Sequence, residues 1–453
     1  MNRLVSRVAP ALVSFPILTA LGPTVRSAPG NKHRLLGHSL ADLATRHHRL
    51  VRFAQGGINL GIVFNPLHNG RSAAREEQCD GRQGKGKDAF HEFIVAPWDT
   101  LQSSTVQGLS CRFLCLSIGA VEDLFGHHIS YLRVSITDRC NERCRYCMPD
   151  EEQEWFDREE VLTYEEMLRV IRVGTKLGIH KIRITGGEPL TRPGAIDFCA
   201  QVAALPGIND VGISTNGTLL TKINAQGQTY AEALVKAGVQ SANISLDSLD
   251  RASYFTTTRR DLLPKLIDGI DAAKAAGMRS IKFNCVLIKH QTERELMNLL
   301  MFAREKGALL RFIELMPVST KDVLSDDSFL SCGHAKKLIE RETGPLIARP
   351  DFKTNGPSSY YQIPGSDQLV GFIGAMTNLH FCESCNKLRL TCDGKLRPCL
   401  GSYLEFDLRE ALRAGCSDEE LTKLFLNVVA RKPKEHDFRT SYEPGRRMIA
   451  IGG

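Results

Sequence analysis

The chain has 453 residues, 42% of them hydrophobic and 24% charged, which gives room for two or three domains with cores of their own and matches a soluble globular protein. Its longest early apolar stretch, VAPALVSFPILTALGP, is broken by proline and too short for a bilayer, and nothing later approaches about 18 uninterrupted apolar residues, which argues against an integral membrane protein. The net charge of +7 is no sign of nucleic-acid binding, because seven basic residues and a single acid, Asp42, lie in residues 1–50, leaving 51 basic against 50 acidic residues elsewhere.

The first 50 residues carry Arg3, Arg7 and several serines. They read as a transit peptide to the mitochondrial matrix, with a secretory signal or a disordered basic tail as rivals. Residues 51–128 include GRQGKGK and show no sustained period, as a linker or poorly ordered extension would. From residue 132 a β-then-α rhythm begins. Strands are expected at 132–136 (LRVSI), 181–185 (KIRIT), 210–214 (DVGIS), 241–246 (SANISL), 281–288 (IKFNCVLI) and 309–315 (LLRFIEL). Helical patterns lie between them, among them TYEEMLRVIRVGTKLG, AEALVKAG, LLPKLIDGIDAAKAAG and TERELMNLLMFAREKG, several ending at glycine. Six such units in about 190 residues predict an incomplete (β/α)6 TIM-like barrel over 129–320, with an open doubly wound sheet as the alternative. The unusual residues, TGGEP, TNG, SLDSLD, MP and three cysteines, follow strands where such enzymes place their chemistry. After residue 320 the rhythm breaks, and a smaller α+β domain is expected over 321–453, with helices near HAKKLIERE and DEELTKLFLNVVARKP.

Fourteen cysteines in this length are too dilute for a disulfide scaffold. Six cluster, as Cys140, Cys144 and Cys147, then Cys382, Cys385 and Cys399. A CxxxCxxC loop can bind three irons of a [4Fe-4S] cluster and leave the fourth open, while a zinc site completed by a distant ligand or water is the alternative. The second group likewise allows a zinc knuckle or a second cluster with an open iron. In KLRLTC, strand alternation puts Leu388, Leu390 and Cys392 on one side, making Cys392 a core residue, and Lys387 and Arg389 on the other, as an anion site requires.

CNERCRYC with GGEP resembles the radical S-adenosylmethionine superfamily. Adding YLRVSITDRCNERCRYCMP, RITGGEPL, NISLDSLD, TTRR, RFIELMP, the second cysteine group and the closing IGG, residues 129–453 resemble its GTP 3′,8-cyclase family, the lyases of the first step of molybdenum cofactor biosynthesis. The resemblance implies two [4Fe-4S] clusters, one held by each cysteine triad. The first would work with S-adenosyl-L-methionine, and the open iron of the second would bind the guanine of GTP. Tyr146, Gly187, Ser245 and Met316 match the family's S-adenosylmethionine contacts, and Arg133, Arg183, Ser214, Lys282, Lys387, Leu388 and Arg389 its GTP contacts. Gly452 and Gly453 match a tail that enters the active site. No residue is implied as an acid or base. The implied reaction uses a 5′-deoxyadenosyl radical to take hydrogen from ribose C3′, whose attack on C8 gives 3′,8-cyclo-7,8-dihydro-GTP. A cyclic pyranopterin monophosphate synthase then processes that product, and an electron donor is needed. No nucleic acid and no membrane span enter this scheme, and a homodimer is left open.

Arg133, Arg183 and Lys282 lie inside predicted strands, where a cation in a barrel lumen is costly unless an anion meets it. The chain departs from the family at Lys387, where Arg is usual, and at Ser214, where Thr is usual. It also carries INAQGQTY, an insertion that lengthens a loop near the expected barrel mouth. Two rivals remain: another radical enzyme with an auxiliary cluster, for example a peptide-modifying one, which would not bind GTP, and a zinc-stabilised nucleic-acid-binding protein, against which the near-neutral charge after residue 50 argues.

Overall fold

The computed structural model describes residues 121–148, 154–318, 325, 327–354, 356–440, 442 and 445–452. The transit-peptide reading, the linker reading up to residue 120 and Gly453 fall outside the described residues. Structure begins earlier than the expected boundary at 129. Val121 N donates to Leu177 O and Ile129 N to Val121 O, while Asp123 accepts from Phe125 N and His127 N, so residues 121–128 form a turn tied to the barrel.

Strands β1 (Tyr131–Ser135), β2 (Lys181–Thr185), β3 (Asp210–Thr215), β4 (Ser241–Ser245), β5 (Ser280–Leu287) and β6 (Leu309–Glu314) pair in sequence order, all parallel. Alternation gives each strand two faces: Leu132, Val134, Ile182, Ile184, Val211 and Ile213 are buried aliphatics of one core, and the residues between them face the lumen. Six helices fill the connections, α1 (Tyr164–Lys176), α2 (Ala195–Ala203), α3 (Tyr230–Lys236), α4 (Arg251–Thr258), α5 (Leu263–Ala275) and α6 (Thr292–Lys306). Capping boxes at Thr163/Glu166 and Thr229/Glu232 start α1 and α3, and losing such a cap costs about 1 kcal/mol. On α1, Met167, Val170 and Ile171 are fully buried, the stripe expected of an amphipathic helix laid on a sheet.

The chain after β6 contains α7 (Cys332–Thr343), β7 (Ile347–Ala348), β8 (Ser359–Gln362), β9 (Leu369–Ile373), β10 (Lys387–Leu390), β11 (Lys395–Arg397), β12 (Phe406–Asp407), α8 (Arg409–Arg413), α9 (Asp418–Ala430) and α10 (Met448–Ile451). It has the expected mixture of helices and short strands, but it is not set apart from the barrel. β10 joins β1 and β9 joins β6, both parallel, in one sheet ordered β12-β11-β10-β1-β2-β3-β4-β5-β6-β9-β8-β7. The physical reason is that a partial barrel leaves two unpaired strand edges, and these segments cover both. Leu388, Leu390, Leu421 and Phe425 accordingly share the barrel's own core. Among the described residues no helix is long and apolar enough to cross a membrane.

Candidate active site

At the C-terminal ends of the strands, the loop after β1 carries Cys140, Cys144 and Cys147, and all three line one cavity. TGGEP holds this loop by backbone contact: Gly187 N donates to Thr137 O at 2.7 Å and Glu188 N to Arg139 O at 2.8 Å. A Cβ on Gly187 would lie 2.4 Å from Arg139 O, and one on Gly186 2.5 Å from Thr137 O, so only glycine permits this approach. Tyr146, Gly187, Ser245 and Met316 line the same cavity. Tyr146 donates its hydroxyl to Asp247 Oδ2 at 2.6 Å, and Asp247 Oδ1 accepts from Val286 N at 2.8 Å.

The surroundings of this cavity are acidic. Glu142 is bonded to the Tyr254 hydroxyl and faces Cys144 Sγ at 3.6 Å. Glu188 accepts from Thr215 Oγ1, Asn216 N and Leu190 N. Burial raises the carboxyls of Glu142 and Glu188 to about 7 and that of Asp247 to about 6. Burial, then the nearby Glu188, pushes the Cys140 thiol up to about 12, and burial raises Cys144 and Cys147 as well.

A second cavity lies deeper in the lumen and shares Asn243, Asn284, Ile313, Met316 and Met448 with the first. Cys382, Cys385 and Cys399 line it, as do Arg133, Arg183, Lys282, Lys387 and Arg389, and among the described residues no Asp or Glu does. Strand register builds the cationic wall: Lys387, Tyr131 and Lys181 are neighbours across β10, β1 and β2, and so are Arg389, Arg133 and Arg183 one step on. Arg183, only 3% exposed, donates to Ile213 O, Ser241 O and the Tyr131 hydroxyl. Burial, then repulsion by Arg311, brings Lys282 down to about 8, and burial, then Arg133, brings Arg389 down to about 9. Burial alone would raise the Tyr131 phenol, but Arg183 and Arg133 together outweigh it and bring it to about 7. Cys385 is the one cysteine of the second triad whose thiol is lowered: burial opposes this, and Lys432 and Lys387 overcome it. Asn243 Oδ1, on the wall between the cavities, is buried without a hydrogen-bond partner, as a site awaiting a ligand donor would be.

Two expected GTP contacts are placed differently from the rest. Ser214 lines the first cavity rather than the second. The Leu388 side chain is fully buried in the core, because β10 alternates and sends only Lys387 and Arg389 inward. Cys392, on the same side as Leu388, is likewise fully buried. Gly452 sits beside β1 and β2, its carbonyl accepting from Arg389 Nη1 at 2.6 Å. Sequence reasoning missed Lys181 and Arg311, both in the second cavity. The signal was present, since each stands at a lumen-facing position of KIRIT and LLRFIEL. The insertion INAQGQTY folds into a small turn bridged from Ile223 to Thr229 and lines neither cavity.

A parallel βα barrel with a three-cysteine loop after its first strand defines the class. The family model described as the Radical SAM superfamily matches residues 134–303, and that described as Molybdenum Cofactor Synthesis C matches residues 308–438. A curated relative named GTP 3′,8-cyclase, from Thermodesulfovibrio yellowstonii, is 41% identical over 334 residues, covering 74% of this chain and 100% of its own. Another of that name, from Petrotoga mobilis, is 40% identical over 332 residues, covering 73% of this chain and 99% of its own. The chain belongs to the GTP 3′,8-cyclase family.

That family implies a [4Fe-4S] cluster and S-adenosylmethionine, and the residues of the first cavity fit them. Its three thiols are kept neutral by their buried, acid-flanked setting, so a metal cluster would supply the charge that makes them ligands. Among the described residues no three His, Cys, Asp or Glu side chains meet closely enough to hold a single metal ion.

Proposed function

We propose that this chain converts GTP to 3′,8-cyclo-7,8-dihydro-GTP, the first step of molybdenum cofactor biosynthesis. The observation that carries the reading is the opposition of charge between two joined cavities, an acid-flanked one lined by one cysteine triad and a cationic one lined by the other, with no carboxylate on its wall among the described residues. S-adenosylmethionine is a cation at its sulfur and amino groups and suits the first. A nucleoside triphosphate is a polyanion and suits the second. When bound, the cluster and S-adenosylmethionine would supply, with one electron from the reductant, a 5′-deoxyadenosyl radical able to take hydrogen from ribose C3′ as 5′-deoxyadenosine; closing the C3′–C8 bond would then take a second electron from the reductant and a proton, which ends on N7 of the guanine. The protein's part is to orient the two ligands across the shared wall of Asn243, Asn284, Met316 and Met448 and to exclude water.

In this reading Cys140, Cys144 and Cys147 hold the first cluster, with Tyr146, Gly187, Ser245 and Met316 around S-adenosylmethionine. Ser214, on the first cavity's wall, meets GTP from that side. Cys382, Cys385 and Cys399 would hold a second [4Fe-4S] cluster, which would bind the guanine of GTP. Arg133, Arg183, Lys282, Lys387 and Arg389 bind the nucleotide, joined by Lys181 and Arg311, while Leu388 offers it only backbone. Gly452 lies against the site, and Gly452 and Gly453 are the residues that serve as its glycine tail. Residues 1–50 act as a mitochondrial transit peptide, and the product passes to a cyclic pyranopterin monophosphate synthase.

The test uses the full chain reconstituted without oxygen, with iron counted and 5′-deoxyadenosine and cyclised GTP followed after adding GTP, S-adenosylmethionine and a reductant. About eight irons per chain, four in each cluster, and deoxyadenosine formed only with GTP support the reading. Iron without GTP dependence overturns the substrate, and zinc in place of iron overturns the chemistry.

A further inference from the structure

Lys432 lies just past α9, after the C-cap residue Arg431 and before Pro433. It is 4% exposed, yet no carboxylate pairs with it among the described residues. Its ammonium instead donates to Pro398 O at 2.8 Å, Lys387 O at 3.3 Å and Cys385 Sγ at 3.4 Å. Pro398 precedes Cys399, so the cation sits between two members of the second triad. A buried ammonium served only by two carbonyls and a thiol lacks the counter-charge that such burial demands.

We propose that Lys432 is a positioning residue of the second cluster, placing a fixed positive charge and an N–H···S bond on the Cys385 ligand and thereby raising that cluster's reduction potential. The inference rests on the reading of Cys382, Cys385 and Cys399 as a [4Fe-4S] site. Three thiolates and four sulfides leave an oxidised cluster of this type with net negative charge, and one added electron makes it more negative. A cation bonded to a ligand sulfur stabilises the reduced form more than the oxidised one, and net charge and hydrogen bonds to sulfur are among the factors that set such potentials. A lysine serving only to tie the β10–β11 hairpin to α9 would hold the same carbonyls without moving a potential.

The experiment compares the full-length, anaerobically reconstituted wild type with K432Q and K432R. Iron is counted, and both one-electron potentials are measured by spectroscopically monitored reduction with dithionite. For the wild type, about eight irons and two potentials are expected. In K432Q the reduction equilibrium of one cluster shifts at least tenfold toward the oxidised form, 59 mV for a one-electron couple. The other potential stays where it was, and K432R recovers most of the shift. Should K432Q keep about four irons while K432R keeps about eight, the charge is needed to hold the cluster at all, which also supports the inference. Eight irons in K432Q with both potentials unmoved overturn it, as does an equal loss of iron in K432Q and K432R. About four irons in the wild type itself overturn the second-cluster reading and the inference with it, before any variant is compared.

Discussion

Gly212 in β3 lies opposite Arg183 of β2 and Ser241 of β4. An ideal Cβ there would fall 2.2 Å from Arg183 Nη1, 2.4 Å from its Cζ and 2.5 Å from Ser241 Oγ. Gly212→Ala therefore forces the guanidinium aside by more than about 1 Å to reach ordinary contact distance. The bonds from Nη1 to Ile213 O and Ser241 O stand at 3.1 and 3.2 Å and do not survive that displacement. Overpacking of this kind costs the fold about 1–3 kcal/mol. The displaced cation takes a charge-assisted bond from the nucleotide, about 1.5–3 kcal/mol, or roughly 10- to 100-fold in Kd. Calorimetric titration of GTP into the reconstituted protein measures the loss. S-adenosylmethionine titrated in parallel reports the first cavity, whose walls Gly212 does not touch. Weakened GTP binding with S-adenosylmethionine binding kept is the expected result. Undiminished GTP affinity in a folded Gly212→Ala protein would refute the assignment of Arg183 to the nucleotide.

Arg311→Met removes a buried cation whose ionisation burial already opposes. Its GTP affinity should fall roughly 10- to 100-fold, while the ligand-free melting temperature holds or rises, because the uncompensated charge is gone. For Glu188, burial lifts the folded pKa to about 7 from a usual value near 4.5. Its contribution to stability is therefore fully present below the unfolded pKa and is lost as pH rises through 7. Urea midpoints of the ligand-free chain should fall between about pH 5 and pH 7.5, and Glu188→Gln should flatten that slope. Gly452→Ala would bring a Cβ to 2.9 Å from both Ser135 Cβ and Thr185 Cγ2 at a φ of +86°, where side chains are strained. Turnover should drop at least about tenfold, roughly 1.4 kcal/mol, with Kd for GTP changing less, as comparison of single-turnover rates with titrations would show.

Local pattern carried the barrel. KIRIT is bounded by turn residues and alternates cleanly, and its expected span of 181–185 matches β2 residue for residue. The capping box of α1 marks its start as plainly. α4, RASYFTTT, escaped notice because a run of threonines has weak helix propensity and leaves little periodicity to read. The pairing of β10 with β1 was beyond local reasoning, since its partners are separated by some 256 residues, Tyr131 with Lys387, and no short-range feature announces it. The same pairing is what puts Lys387 and Arg389 beside Arg133 and Arg183. Arg133, Arg183 and Lys282 were legible as anomalies, cations where a barrel expects aliphatics. Lys181 and Arg311 are lumen-facing cations of the same kind, in phase with Arg183 in KIRIT and central in LLRFIEL.

That single sign explains why the site is built as it is. Seven cations, Arg133, Lys181, Arg183, Lys282, Arg311, Lys387 and Arg389, line one lumen, and in an aliphatic-walled barrel such crowding would oppose folding. Lys181 is paired with Asp210, but several of the others rest on groups other than carboxylates: Arg183 on two carbonyls and Tyr131, Arg311 on Asn284 Oδ1, and Lys387 on Asn386 Oδ1 and the Tyr131 ring. The carbonyls and amide oxygens hold direction without cancelling charge. A carboxylate in their place would steady the empty barrel and then compete with the triphosphate for the same cations. Where the charge is fixed and uncancelled, as at Arg311 on Asn284 Oδ1, the wall need not reorganise when the anion arrives. The lowered Lys282 and Arg389 reflect the burial and mutual repulsion that the ligand-free fold carries for that readiness, and a bound polyanion would offset both.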